Sequence, residues 1–117
     1  MSGAVSYHAG LAAEDQVARH YSCSGRPIAA RRWRGSAGEI DLIARDGAEV
    51  IFIEVKKSTS HAEAALHLTE RQMRRIYTAA SEFLGGEPFG QLTEVRFDVA
   101  LVDQAGRIEV LENAFAA

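Results

Sequence analysis

The chain has 117 residues, 47% hydrophobic and 25% charged, the make-up of a globular protein of one-domain size. Its net charge of -3, from 13 Lys and Arg against 16 Asp and Glu, speaks against a general nucleic-acid coat and a polybasic membrane anchor. One cysteine, Cys23, excludes an intrachain disulfide and a thiolate-rich zinc module.

Residues 4–22 read as an amphipathic helix, because Tyr7, Leu11, Glu14, Ala18 and Tyr21 recur at helical spacing. Gly25 and Pro27 close it. Residues 27–34 read as extended, and Gly35-Ser36-Ala37-Gly38 as a turn. Residues 39–45 alternate charged and aliphatic side chains, a strand signal. Asp46-Gly47 is a hairpin turn pair, and 49–57, with Val50-Ile51-Phe52-Ile53, is the return strand. A Ser/Thr/His stretch follows, read as a loop with a short helical turn around 62–66. Residues 69–84 form a second helix. Thr69 and Gln72 fit a capping box, Leu68 and Met73 fit a hydrophobic staple, and Gly85-Gly86 stop the helix. Strands at 94–102 and 107–111 complete the chain. The order α-β-β-β-α-β-β predicts an α/β (α+β) fold, in which a mixed sheet is flanked by helices and the strand after the crossover helix pairs in parallel. A single domain over 1–117 is expected. No apolar run is long enough for a membrane span, and the first ten residues lack a signal-peptide pattern. A cytoplasmic location away from the membrane is therefore expected.

The hairpin carries the chemistry. Alternation puts Glu39 and Asp41 on one face of its first arm, and Glu54 and Lys56 on one face of its second. A tight turn at Asp46-Gly47 brings Asp41 within about one residue of Glu54 across the ladder. A single register step, or a bulge, decides whether they share a face. If they do, two or three carboxylates and an ammonium meet. Carboxylates held close raise a pKa or recruit a cation. Mg²⁺ or Mn²⁺ suits such oxygen donors, and a lysine beside them can orient water or stabilise charge on phosphorus. The alternative is a solvated cross-strand ion pair between Asp41 and Lys56. Glu14, which interrupts the apolar stripe of the first helix, is a further carboxylate that needs a partner, unless it lies at the stripe's boundary.

Gly38-Glu39-Ile40-Asp41-Leu42-Ile43 followed by Phe52-Ile53-Glu54-Val55-Lys56 resembles the Asp…Glu-x-Lys signature of restriction-endonuclease-like nucleases. With Gly10 and Glu14, Arg31–Arg34, the 72–84 helix and Arg96-Phe97-Asp98-Val99, the chain resembles the YraN family of small bacterial proteins. That family is grouped with Holliday-junction-resolvase-like nucleases. The resemblance implies a restriction-endonuclease-like core and a metal-dependent endonuclease acting on DNA phosphodiester bonds, at branched DNA. It implies Asp41, Glu54 and the Val55 carbonyl as metal ligands, Lys56 as the catalytic lysine, and Glu14 reaching the site from the first helix. Glu39 and Gln72 would be auxiliary. Two positions depart from the family pattern: Ser58 stands where Arg is frequent, and Gln72 where Lys is frequent. The resemblance also implies a homodimer.

The charge distribution is uneven. Residues 1–38 carry +3, residues 39–57 carry -2, residues 58–84 are neutral, and residues 85–117 carry -4. A DNA-contacting surface is therefore expected from Arg32 and Arg34 and from Arg71 and Arg75 on the second helix. Trp33 is expected in the core rather than stacked on bases. Asp98, mid-strand between Phe97 and Val99, is expected to hold a structural hydrogen bond. The alternative to a nuclease is a non-catalytic nucleic-acid-binding or protein-interaction domain on the same fold.

Overall fold

The computed structural model describes residues 3–57 and 69–114, with side chains from residue 12 onward. The stretch from Ser58 through the turn at 62–66 to Leu68 lies outside the described residues, as do the side chains of Tyr7 and Leu11. Helix α1 spans Gly3–Cys23. Strands β1 (Ile28–Arg34), β2 (Glu39–Asp46) and β3 (Glu49–Lys57) follow, then helix α2 (Glu70–Leu84), a 3-10 turn at Gly90–Leu92, and strands β4 (Val95–Val102) and β5 (Ile108–Leu111). The five strands form one sheet in sequence order, β1-β2-β3-β4-β5, antiparallel except for the β3–β4 pair. This is the mixed sheet between two helices that the element order predicts. No helix among the described residues is long and apolar enough to cross a membrane.

Each element ends where its chemistry dictates. After α1, Gly25 takes the left-handed conformation (φ +83), and Arg26 N–H returns to the Tyr21 carbonyl at 3.0 Å. At the start of α2, Gln72 N–H donates to Thr69 Oγ1 (3.1 Å) while Gln72 Oε1 accepts from Thr69 N–H (3.0 Å), closing the capping box. The β2–β3 turn has two residues, Gly47-Ala48, because Asp46 pairs with Glu49. Gly47, at φ +62, supplies the backbone geometry that such a turn needs.

The sheet buries both faces. On one, α2 sets Ile76, Ala79, Ala80 and Leu84 against Ile40, Ile43, Val50, Phe52 and Val99. Trp33 joins this core, edge-on to Phe83 at 5.5 Å, so the indole is a packing group as expected. On the other face, α1 sets Ala13, Val17, Ala18 and Tyr21 against Leu42, Ala44, Ile51, Ile53 and Ala100. The buried stripe of α1 thus runs Ala13–Val17–Tyr21 at four-residue spacing, which leaves Glu14 at its margin.

Strict alternation fails in two places. One lies in β1 between Ile28 and Ala30, where the register with β2 shifts and the two side chains face opposite cores. The other lies further along. Ile40 and Ile43, three residues apart, both face the α2 core, and so do Ala30 and Trp33 on the neighbouring strand. The β1–β2 pairing passes from Arg31–Leu42 to Trp33–Ile40, so Arg32 and Asp41 stand opposite each other at the break. Arg32 is left-handed (φ +51), uncommon for a residue with a side chain. The register of the two strands is the same on either side of this pair, so the irregularity turns side chains over without shifting one strand along the other. The turn between β1 and β2 is tied to α2 by Glu82, which accepts from Ser36 N–H (2.9 Å) and Ser36 Oγ–H (2.6 Å).

Candidate active site

The β2–β3 ladder runs from the turn as far as Leu42–Ile53. One step further, Asp41 stands across from Glu54. No bulge between these two strands is needed to bring the carboxylates together. Beyond that step the ladder gives way, because Asp41 Oδ2 accepts from the Val55 N–H at 2.8 Å. A side chain thereby satisfies a buried-sheet donor and is itself oriented by it. Lys56, two residues beyond Glu54 and so on the same face, reaches back to it, Nζ to Oε2 at 3.3 Å. Both side chains are well covered, with 13% of Glu54 and 15% of Lys56 exposed. The lysine pairs along its own strand, so the cross-strand Asp41–Lys56 ion pair is replaced by a cluster of three.

Two acids lie side by side here, with one ammonium paired to Glu54. Burial, and then the neighbouring Glu54 carboxylate, hold the Asp41 carboxyl far above the ordinary carboxylate range, at about 8. The Val55 N–H and the Lys56 charge pull in the opposite direction and do not prevail. The pair therefore retains a proton near neutral pH, or else requires a cation in its place. The hard oxygens of Asp41 and Glu54 suit Mg²⁺ or Mn²⁺, which take carboxylates together with several waters. The donor set present thus fits a divalent cation, although among the described residues no three His, Cys, Asp or Glu side chains gather into a metal-sized group.

Glu14 accounts for that limit. Its carboxylate accepts from Arg32 Nε at 3.0 Å and is 14% exposed. With Asp15, Arg31 and Arg32 it lines a concavity between α1 and the β1 edge. The left-handed turn at Arg32 delivers the guanidinium to Glu14, and Arg31 pairs with Asp15 beside it. Glu14 is therefore held by an arginine rather than gathered with Asp41 and Glu54. Glu39, at the start of β2, pairs with Arg34 (3.3 Å). It shares a cavity of ≈ 150 Å³ with Gly38, Glu54, Gln72, Arg75 and Ile76, so Glu39 and Gln72 are brought next to Glu54. Arg75, itself exposed, lines the same cavity, while Arg71, one turn earlier on α2, is exposed and does not line it.

A buried network supports the sheet from the α1 side. Asp98 is 0% exposed. It accepts from Tyr21 O–H (2.7 Å), from Arg96 Nε and Nη2 (2.9 and 3.0 Å), and from Asn113 N–H (2.9 Å). Burial and the Asp98 carboxylate push the Tyr21 hydroxyl up, so it remains a donor. The structural bond expected of Asp98 is thus present, but Tyr21 and Arg96 were not legible as its partners. Tyr21 read as one more apolar residue of the stripe; Arg96 and Asp98, two apart on a strand, were the available signal.

A model of the uncharacterised protein family UPF0102 matches residues 13–102. A UPF0102 protein of Cereibacter sphaeroides is 76% identical over 117 residues, the whole of both chains. One of Ruegeria pomeroyi is 58% identical over 113 residues, 97% of this chain and 92% of the relative. One of Roseobacter denitrificans is 51% identical over 115 residues, 98% of this chain and 89% of the relative.

Proposed function

The chain belongs to the uncharacterised protein family UPF0102, and we propose that its Asp41–Glu54–Lys56 cluster is the centre of a metal-dependent nuclease that hydrolyses DNA phosphodiester bonds. The observation that carries this reading is the pairing of Asp41 with Glu54 under Lys56, with the Asp41 carboxyl raised to about 8. Two acids this close cost stability unless a cation joins them. Asp41, Glu54 and the Val55 carbonyl would hold Mg²⁺ or Mn²⁺. When bound, the cation supplies charge neutralisation at a phosphoryl oxygen and lowers the pKa of a water. The Val55 N–H keeps Asp41 aimed across the ladder. Glu54 holds Lys56 Nζ beside both carboxylates, where the ammonium can donate a hydrogen bond to an attacking water or to a phosphoryl oxygen gaining charge. The resemblance to junction-cutting nucleases directs the substrate toward branched DNA and the assembly toward a homodimer.

The test is cleavage. Purified protein is expected to cut a labelled synthetic four-way junction, duplex or single strand in Mg²⁺ or Mn²⁺ and to stop in chelator. Asp41→Ala and Glu54→Ala should each abolish cutting, and Lys56→Ala should slow it by roughly 10²-fold, as loss of one preorganised donor does. Cutting that survives both carboxylate substitutions would overturn the assignment. Salt-dependent DNA binding without turnover in either metal would instead leave a binding module on this fold.

A further inference from the structure

The arginines of this protein are unequal. In the β1 run, where the sequence concentrates positive charge, Arg31, Arg32 and Arg34 are each taken by an acid: Asp15, Glu14 and Glu39. Arg75 differs. Among the described residues no acid holds it, and it lines the cavity that opens beside Glu54. The acids of that cavity are matched elsewhere, Glu39 by Arg34 and Glu54 by Lys56. Gln72, one helical turn before Arg75 and so on the same side of α2, faces the cavity too. Its Oε1 accepts from Thr69 N–H in the capping box, which leaves its NH₂ group as a donor. The donors of the cavity that no acid holds among the described residues are therefore a planar guanidinium fork and an amide N–H₂, beside two carboxylates that each have one cationic partner.

We propose that Arg75 and the Gln72 amide form a seat for a backbone phosphate of the DNA strand, on the α2 side of Glu54. This rests on the nuclease reading, because a phosphate enters beside Glu54 only when the carboxylates are neutralised. The fork of Arg75 matches two phosphate oxygens, and Gln72 adds a neutral donor to the same anion. The side chains of α2 make the seat, since Thr69 Oγ1 already takes the Gln72 backbone N–H. Gly38 forms the opposite wall: a Cβ there would stand 3.8 Å from Arg75 Cβ, in contact without displacing it. The seat assigns the phosphate contact to α2 rather than to the β1 arginines, which would have to give up acid partners to make it.

The experiment is the salt dependence of DNA binding, measured by anisotropy with labelled duplex, single strand and four-way junction, in Ca²⁺ and in chelator, so that no turnover is required. Arg75→Ala is expected to weaken binding and lower the slope of log K against log[salt] by about 1, the signature of one lost phosphate contact. Arg74→Ala removes the same charge from the adjacent exposed position outside the cavity and should leave the slope unchanged. Arg75→Lys should keep the slope but bind more weakly than the parent, because a point charge replaces the fork. An unchanged slope in Arg75→Ala, or an equal fall in Arg74→Ala, would overturn the seat and leave the nuclease reading standing. A parent protein that binds none of the three DNAs would overturn both.

Discussion

Replacing Asp41 by Asn should remove a pH dependence of stability that the parent protein carries without metal. Asp41 titrates at about 8 in the folded chain, against 3.8 ordinarily, because it is buried beside Glu54. Between those values the native state holds a proton that the unfolded chain has released. Stability is then greatest at low pH and is lost as pH rises toward 8. Each pH unit in that window is worth at most about 1.4 kcal/mol, so pH 5 to 7.5 spans a ceiling of about 3 kcal/mol. Asp41 is half-buried rather than sealed, and water screens part of this, so about 1–2 kcal/mol is expected. Asn keeps an oxygen for the Val55 N–H and carries no charge. Thermal unfolding in chelator should therefore show the parent losing roughly 4–8 °C more than Asp41→Asn between these pH values. Mg²⁺ or Mn²⁺ at a hundredfold excess over its dissociation constant should stabilise the parent by about 2.7 kcal/mol, enough to offset the whole loss, and should do little in the variant. Parallel pH profiles for the two proteins would refute the coupling of Asp41 to Glu54.

Two further outcomes concern the scaffold. Asp98→Ala should destabilise the protein by about 3–5 kcal/mol in urea titration, because it strands Arg96, which is largely buried, and the Tyr21 hydroxyl together. Asp98→Asn should cost less. Thr69→Ala should cost about 1 kcal/mol in the same titration, since it removes the side chain that caps α2; it should also loosen Gln72, whose amide faces the site.

The elements with strong local signals were legible from sequence. The hairpin and the charged-aliphatic alternation of β2 were legible, and the capping box marked the start of α2, but the turn falls at Gly47-Ala48, one residue beyond the Asp46-Gly47 pair expected, and that step sets Asp41 across from Glu54. Trp33 and Asp98 took the packing and hydrogen-bonding places expected of them. The rest depended on contacts between distant segments. No periodicity marks the left-handed Arg32, which breaks alternation in β1 and delivers its guanidinium to Glu14. The place of Glu14 depends on that backbone turn, so its position on the helix stripe left its partner undetermined. Arg75 looks like Arg71 and Arg74 in sequence. Only the packing of α2 on the sheet separates it from them, by bringing it over the cavity with Gln72 and Glu54.

The central claim is that Asp41 and Glu54 share a divalent cation. Anomalous diffraction from crystals grown with Mn²⁺ tests it most directly. The account predicts a peak between the Asp41 and Glu54 carboxylates, within reach of the Val55 carbonyl, that disappears in Asp41→Asn. A fully occupied Mn²⁺ elsewhere with these two carboxylates unligated, or no peak at millimolar metal, would contradict it.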